Sequence, residues 1–259
     1  MGWLSKWFGR DRGVGTPQPD IAPLDLSAFL IDYHSHLVPG VDDGAPDLAA
    51  SLEMIQGLVD LGYKGAVTTP HVYPGMYPNS PDTLRPPFEM LKEAVSRKHP
   101  HFRLALGAEY FLDAGLLDAL RNGSELLTPG KHLLFELPFV SPPPEDLLSE
   151  FLFEAQVMGL KPVMAHIERY PYWHNELHRF EEWAEQGVLL QVNAASLAGG
   201  HGREIQEAAE YCIQKGWVRI LGSDAHGIRH IEALEAALRR PSLHLLNSMQ
   251  LNSSMIPEF

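Results

Sequence analysis

Seven times along this 259-residue chain a short apolar run ends in a histidine, a carboxylate or an amide, and a stretch of helical spacing follows. The runs cover residues 29–36, 65–71, 103–109, 132–136, 161–166, 188–193 and 217–226. Runs that are apolar throughout fit strands buried on both faces, and regular alternation with helices implies a parallel sheet covered by them. The stretches between carry the helix signals. In 47–61, Leu48, Leu52, Ile55, Leu58 and Val59 share one face, Asp47 is placed as an N-cap and Gly62 as a stop. Further helices are expected over 84–98, 114–121, 145–158, 176–186, 203–215 and 231–238. The composition does not break between units, so the expectation is one α/β domain, a closed or nearly closed seven-stranded (β/α)7 barrel of TIM-like type. An open doubly wound sheet is the alternative, weakened because no Gly-rich dinucleotide fingerprint follows the first strand. Residues 1–24 read as a flexible N-terminal segment and linker, 25–240 as the barrel, and 241–259 as a loose tail.

Composition narrows the function classes. A formal net charge of −13 argues against a nucleic-acid partner, which needs a basic face. The single cysteine, Cys212, lies in a helical pattern and reads as a small core residue. It has no phosphate-cradling loop around it, which excludes thiolate-based phosphatase chemistry. No apolar run is long enough to span a bilayer, so a cytoplasmic location is expected. Residues 1–10 (MGWLSKWFGR) are aromatic and weakly basic. They fit a frayed end, with weak attachment to the inner face of the membrane as the second reading.

The strand ends carry the chemistry. In the stretch DYHSHLVPGVDDG, His34 and His36 are two residues apart, so on a strand they share a face, and an acidic turn with Asp42 and Asp43 follows. An isolated pair of this kind would more often be ordinary histidines. Later strands end in the same manner, at His71, Glu109, Glu136, His166, Asp224 and His226. In a parallel barrel all these ends meet on one face, where active sites sit. So many imidazoles and carboxylates exceed what one ion needs and suit two or three divalent cations of the Mn, Fe or Zn type. Such a cluster activates a bridging water and clamps an in-line displacement at phosphorus. Arg169, three residues after His166, has the planar fork that suits phosphate oxygens. A salt bridge with Glu168 is its ordinary alternative. Tyr73, Tyr77 and Trp173 are expected on loops at the same face, as walls of a ring-binding cleft or as loop packing.

At these residues the sequence resembles the polymerase and histidinol phosphatase (PHP) superfamily. It is most similar to its manganese-dependent bacterial protein-tyrosine phosphatases of capsular and extracellular polysaccharide control. The segments that carry the resemblance are DYHSHLVPGVDDG, TTPH, GAEYFL, LLFELPF, PVMAHIERY, LQVNAAS and LGSDAH, in family order from residue 32 to 226. The resemblance implies a seven-stranded distorted barrel with three metals, manganese expected and Fe or Zn as alternatives. One metal would be held by His34, His36, Glu109 and Asp224. A second would share Glu109 and take Glu136 and His166. A third would use Asp43, His71 and His226. Arg169 matches the substrate-binding arginine. A second arginine is implied after the last motif, and Arg229 is the candidate at a shorter spacing.

The reaction expected is hydrolysis of phosphotyrosine by a metal-bridging hydroxide, with Arg169 on the phosphoryl oxygens and Asp43, His71 and Arg229 in supporting roles. A phenol is a fair leaving group, so strong acid assistance is less necessary; His71, His226 or a metal-bound water remain candidates for it. The resemblance implies a protein substrate, a polysaccharide-associated tyrosine kinase. Three rivals stand beside this reading. One is a PHP phosphatase acting on a small phosphomonoester such as histidinol phosphate. Another is a metal-stabilised scaffold without turnover. The third is a different metal hydrolase, disfavoured in its carbamylated-lysine form because Glu136 stands at the end of strand four.

Overall fold

The computed structural model describes residues 21–248, so the proposed attachment segment 1–10 and the end of the tail lie outside the described residues. A 3-10 turn at Leu26–Ala28 leads into β1 (Ile31–Asp32), and α1 (Leu48–Asp60), β2 (Gly65–Thr68), β3 (His71–Val72) and α2 (Pro81–Lys98) follow. Then come β4 (Arg103–Leu106), β5 (Glu109–Phe111), α3 (Ala114–Arg121), β6 (His132–Glu136), α4 (Glu145–Val157) and β7 (Lys161–Met164). The last part holds α5 (His178–Glu185), β8 (Leu189–Asn193), α6 (Ala194–Leu197), α7 (Arg203–Gln214), β9 (Val218–Gly222), α8 (Ile228–Ala237) and α9 (Pro241–Ser248).

Local chemistry sets several of these boundaries. The Asp47 side chain accepts from Ala50 N–H at 2.9 Å and starts α1. Ser80 and Thr83 form a reciprocal capping box with Pro81 at the first helical position. This starts α2 three residues before the expected 84, because the box needs no apolar residue to announce it.

The strands pair in parallel in two sheets, β1-β2-β4 and β3-β5-β6-β7-β8-β9. The expected strands 65–71 and 103–109 each divide in two. Pro70 has no N–H to give a ladder, and the partner strand breaks opposite it at Gly107 and Ala108. The register survives the break: Gly107 N–H donates to Thr68 O at 2.8 Å and Glu109 N–H to Pro70 O at 3.1 Å. The first strand is shorter than the expected 29–36. Beyond Asp32 the chain still lies between its neighbours, since Thr69 N–H donates to Ser35 O at 2.7 Å and His36 N–H to Ala225 O at 3.0 Å. Ser35 and Ala225 form a parallel bridge.

Alternation along the strands divides the core. Ile31, Val67, Ala105, Leu134, Val163 and Ile220 pack with Tyr33 and Ala165 on one side of the strands. The larger apolar cluster, with Leu104, Leu133, Phe135, Met164, Leu190 and Leu221, lies on the other side with the helices. This two-sided burial is why the strands read as unbroken apolar runs. At the far end, Leu243 and Leu246 are fully buried, so 241–248 is a packed helix and not the start of a loose tail. Its apolar residues lie three apart, too short a pattern to announce a helix on its own. Among the described residues, no helix is long and apolar enough to cross a membrane.

Candidate metal centre

The ends of the parallel strands deliver their polar residues to one place. His34 and His36 follow β1, His71 opens β3, Glu109 opens β5, Glu136 closes β6, His166 follows β7, and Asp224 and His226 follow β9. His34, His36, Glu109, Glu136, His166 and Asp224 are buried.

Hydrogen bonds from behind fix which ring nitrogens face inward. Gln191 Oε1 lies 3.1 Å from His34 Nδ1, and Asp42 Oδ2 lies 2.8 Å from His36 Nδ1. Both partners are acceptors, so each Nδ1 carries the hydrogen and each Nε2 presents a lone pair. The two Nε2 atoms stand 3.3 Å apart. Glu109 Oε2 is 3.2 Å from His34 Nε2 and 3.4 Å from that of His36, and Asp224 Oδ1 is 3.3 Å and 3.4 Å from the same atoms. Four electron-rich atoms that converge in a buried space require positive charge among them. Burial pushes His34 down, yet the carboxylates of Glu109 and Asp224 overcome it and carry the ring up to about 9. Burial likewise raises Glu109 and Asp224, but the surrounding imidazoles hold both well below the carboxylate range. Without a cation, protons must supply the missing charge. Donor set, burial and convergence therefore fit a divalent ion.

The same reasoning extends outward. His71 Nδ1 lies 3.2 Å from Glu109 Oε2 and 3.4 Å from Glu136 Oε1. His166 Nε2 lies 3.0 Å from Glu109 Oε1 and 3.9 Å from Glu136 Oε2. Asp43 Oδ1 faces both His71 Nε2 at 3.5 Å and His226 Nε2 at 3.6 Å. Ligand atoms gather within 4.8 Å of one another in three overlapping groups: His34, His36, Glu109 and Asp224; His71, Glu109 and Glu136; and His36, His71 and His226. Buried Glu109 Oε2 and His71 Nδ1 have no hydrogen-bond partner, as expected of atoms that coordinate instead.

Two of the residues sit in the left-handed backbone region, His166 at φ 32° and Asp224 at φ 50°. For side chains other than glycine this costs about 1–3 kcal/mol each. Hydrogen bonds hold both bends: His166 N–H donates to the Gln191 side chain (Oε1) at 2.8 Å, and Asp224 N–H to the backbone carbonyl of His34 at 2.8 Å.

The cluster forms the floor of a cleft of about 540 Å³. Arg169 lies on its wall, with Nη1 donating to Asp224 Oδ2 at 3.0 Å and its guanidinium carbon 4.7 Å from the centroid of the Phe139 ring. It makes no salt bridge with Glu168, which is buried and accepts from Asn193 N–H and the Ser196 hydroxyl. Tyr73, stacked on Phe111 at 3.9 Å, and Tyr77, stacked on His71 at 5.4 Å, line the cleft. Trp173 does not. It is buried against Trp183 at 4.6 Å, because the turn Pro171–Trp173 rolls it into the core. Arg229 is exposed in the first turn of α8 and does not line the cleft. Cys212 is buried, and burial pushes its thiol up, away from any thiolate role.

Sequence reasoning missed the supports behind the ligands. Asp42, beside the expected Asp43, holds His36 and also accepts from His71 N–H at 3.0 Å. Gln191 donates through Nε2 to Asn193 Oδ1 at 2.8 Å, and Asn193 Nδ2 donates to Asp224 Oδ2 at 2.7 Å. A glutamine in the middle of an apolar strand was the available signal. His201 and His230 line the cleft and were not singled out.

Parallel strands whose ends gather imidazoles and carboxylates into one cluster fit a metal-binding α/β scaffold of the hydrolase type. The chain belongs to the CpsB/CapC family of capsular polysaccharide synthesis, whose model matches residues 30–240. It is similar to the tyrosine-protein phosphatase YwqE of Bacillus subtilis (strain 168), with 28% identity over 201 residues, 77% of this chain and 78% of that one. It is also similar to the tyrosine-protein phosphatase CpsB of Streptococcus agalactiae serotype V, with 27% identity over 205 residues, 77% of this chain and 84% of that one. A chain from the crystal structures of YwqE from B. subtilis and CpsB from Streptococcus pneumoniae, described as unique metal-dependent tyrosine phosphatases, superimposes with a TM-score of 0.73. The identity is 25%, over 88% of this chain and 97% of that one. An amidohydrolase from Mycoplasma synoviae, at 14% identity and a TM-score of 0.52, shares the fold.

Proposed function

We propose that this chain is a metal-dependent protein-tyrosine phosphatase built on a seven-stranded distorted (β/α)7 barrel, with three divalent ions, manganese first among them. His34, His36, Glu109 and Asp224 would hold one ion, Glu109, Glu136 and His166 a second, and Asp43, His71 and His226 a third. Bound there, divalent ions lower the pKa of water and neutralise charge on a transferring phosphoryl group. The chain's own residues do the rest. Asp42 and Gln191 keep the Nε2 atoms of His36 and His34 turned inward. Arg169, already oriented by Asp224, offers its remaining guanidinium hydrogens to phosphoryl oxygens. Tyr73 and Phe139 stand as aromatic walls beside the cluster, where a phenyl ring packs better than an alkyl chain.

The observation that carries the reading is this adjacency of aromatic walls, one guanidinium and a buried imidazole–carboxylate cluster in one cleft. The relatives' names support tyrosine phosphate over histidinol phosphate. Family membership supports a substrate in polysaccharide synthesis, which we take to be a phosphorylated bacterial tyrosine kinase. The test is phosphate release from a phosphotyrosine peptide and from histidinol phosphate with added Mn²⁺, for wild type and His166→Ala. Release from the peptide that requires the metal and is lost in the variant is expected. Release from histidinol phosphate alone would refute the tyrosine reading.

A further inference from the structure

Two imidazoles outside the three ligand sets proposed above stand in the same cleft, His201 and His230. Their hydrogen bonds give them opposite characters. The Ser196 hydroxyl donates to Glu168 Oε1 at 2.7 Å, so its oxygen accepts from His201 Nδ1 at 3.1 Å and leaves His201 Nε2 with a lone pair. For His230 the backbone N–H of His226 donates to Nδ1 at 3.0 Å. That fixes Nδ1 as the acceptor and puts the ring's hydrogen on Nε2. Among the described residues this Nε2–H has no partner, and its ring lines the cleft.

The other donors in the cleft are few. His71, His166 and His226 face carboxylates of the cluster. Apart from tyrosine hydroxyls, Arg169 and His230 are the lining side chains with a hydrogen to offer an anion. Arg229, the residue that the sequence singled out for this part, is one position too early. A helix turns about 100° per residue, so when His230 faces the cleft its neighbour faces away.

We propose that His230 is a direct substrate contact, its Nε2–H donating to a phosphoryl oxygen held beside Arg169. This rests on the phosphomonoester reading above. A hydrogen bond to a charged group contributes a factor of roughly 10 to 100 in affinity.

The experiment titrates inorganic phosphate into the Mn²⁺-loaded full chain by calorimetry, for wild type, His230→Asn and His230→Gln, with metal content measured on each. Asparagine keeps an acceptor near the Nδ1 position for His226 N–H but cannot reach the cleft; glutamine reaches close to the Nε2 position. We expect His230→Asn to weaken phosphate about 10-fold or more at unchanged metal content. KM for a phosphotyrosine peptide should rise by more than kcat falls, and His230→Gln should recover most of the loss. Phosphate binding by His230→Asn within twofold of wild type would overturn the proposal. So would a loss of phosphate that only follows a loss of manganese, since His230 would then be a strut for His226. If wild type binds phosphate but leaves the peptide intact, the tyrosine reading fails, and the phosphate titration still decides His230.

Discussion

Replacing Gln191 by methionine removes a side chain that touches no proposed substrate but orders half of the metal centre. Its Oε1 accepts from His34 Nδ1 at 3.1 Å and from His166 N–H at 2.8 Å, and its Nε2 donates to Asn193 at 2.8 Å. Methionine fills much the same volume, so the packing loss is small. The polar loss is not. Two buried donors, His34 Nδ1–H and His166 N–H, lose their acceptor, at about 1–3 kcal/mol each, or about 2–6 kcal/mol together. One of them also restrains the left-handed bend at His166. At about 2–4 °C per kcal/mol for a chain of this size, the melting temperature should fall by about 10 °C. Metal affinity should drop by about 10- to 100-fold, because His34 is then free to turn its other nitrogen inward. Glutamate at 191 would not rescue this. It accepts from His34 and His166, but it cannot donate to Asn193 Oδ1, and flipping Asn193 would aim an oxygen at Asp224 Oδ2. The assay is thermal melting with and without Mn²⁺, beside a competitive metal titration. Manganese affinity within threefold of wild type together with a melting temperature within 2 °C, under the about 4 °C that even the low end predicts, would show that the amide chain does not order the ligands.

Four further expectations follow from the same geometry. Glu109 belongs to two of the three ligand groups, so Glu109→Gln should lower bound metal by more than one ion per chain, which elemental analysis of the purified variant reads directly. In chelated protein, His34 is carried up to about 9 in the fold against an ordinary 6.5, so its stabilising proton is fully present below 6.5 and lost as pH rises through 9. Melting temperatures of the chelated protein should therefore fall across that window, and a flat profile would contradict it. Arg169→Lys keeps the charge but not the fork that reaches Asp224 and an anion together, so KM for a phosphotyrosine peptide should rise about 10-fold at unchanged metal content. Leu246→Ala should destabilise by about 2–5 kcal/mol in a denaturant titration, because α9 is packed; a change under 0.5 kcal/mol, within the scatter of exposed sites, would return it to the tail.

What the sequence discloses here depends on whether a residue's role is set by its own strand or by its neighbours. The candidate ligands were legible because a strand buried on both faces has one polar place to put them, its end; hence His71, Glu109, Glu136 and His166 stand out against apolar runs. The breaks at Pro70 and Gly107 left the order of elements intact and changed only where the ladders stop. Other roles are decided across the sheet or by rotation about a helix. Asp42 and Asp43 look alike in a row, yet one turns in to His36 and the other faces His71 and His226. Trp173 was placed at the cleft by its loop position and Arg229 by the family resemblance, and the local backbone sends each elsewhere.

Asp32 shows how far this dependence reaches. It opens the motif that first suggested a metal, but no imidazole takes its carboxylate from the side. Instead it accepts from Ser223 N–H at 2.9 Å, from the Ser223 hydroxyl at 2.6 Å and from His34 N–H at 3.4 Å. Burial pushes its carboxyl up to about 6, against the pull of those donors. The residue thus ties the first strand to the last, 191 positions away. Asp224 N–H then donates to His34 O at 2.8 Å, so the same few atoms that join the segments after β1 and β9 also bring the side chains of His34 and Asp224 to 3.3 Å of each other. A cation held by both His34 and Asp224 would therefore stabilise the pairing of two segments far apart in the chain, a pairing that no local sequence signal could have specified.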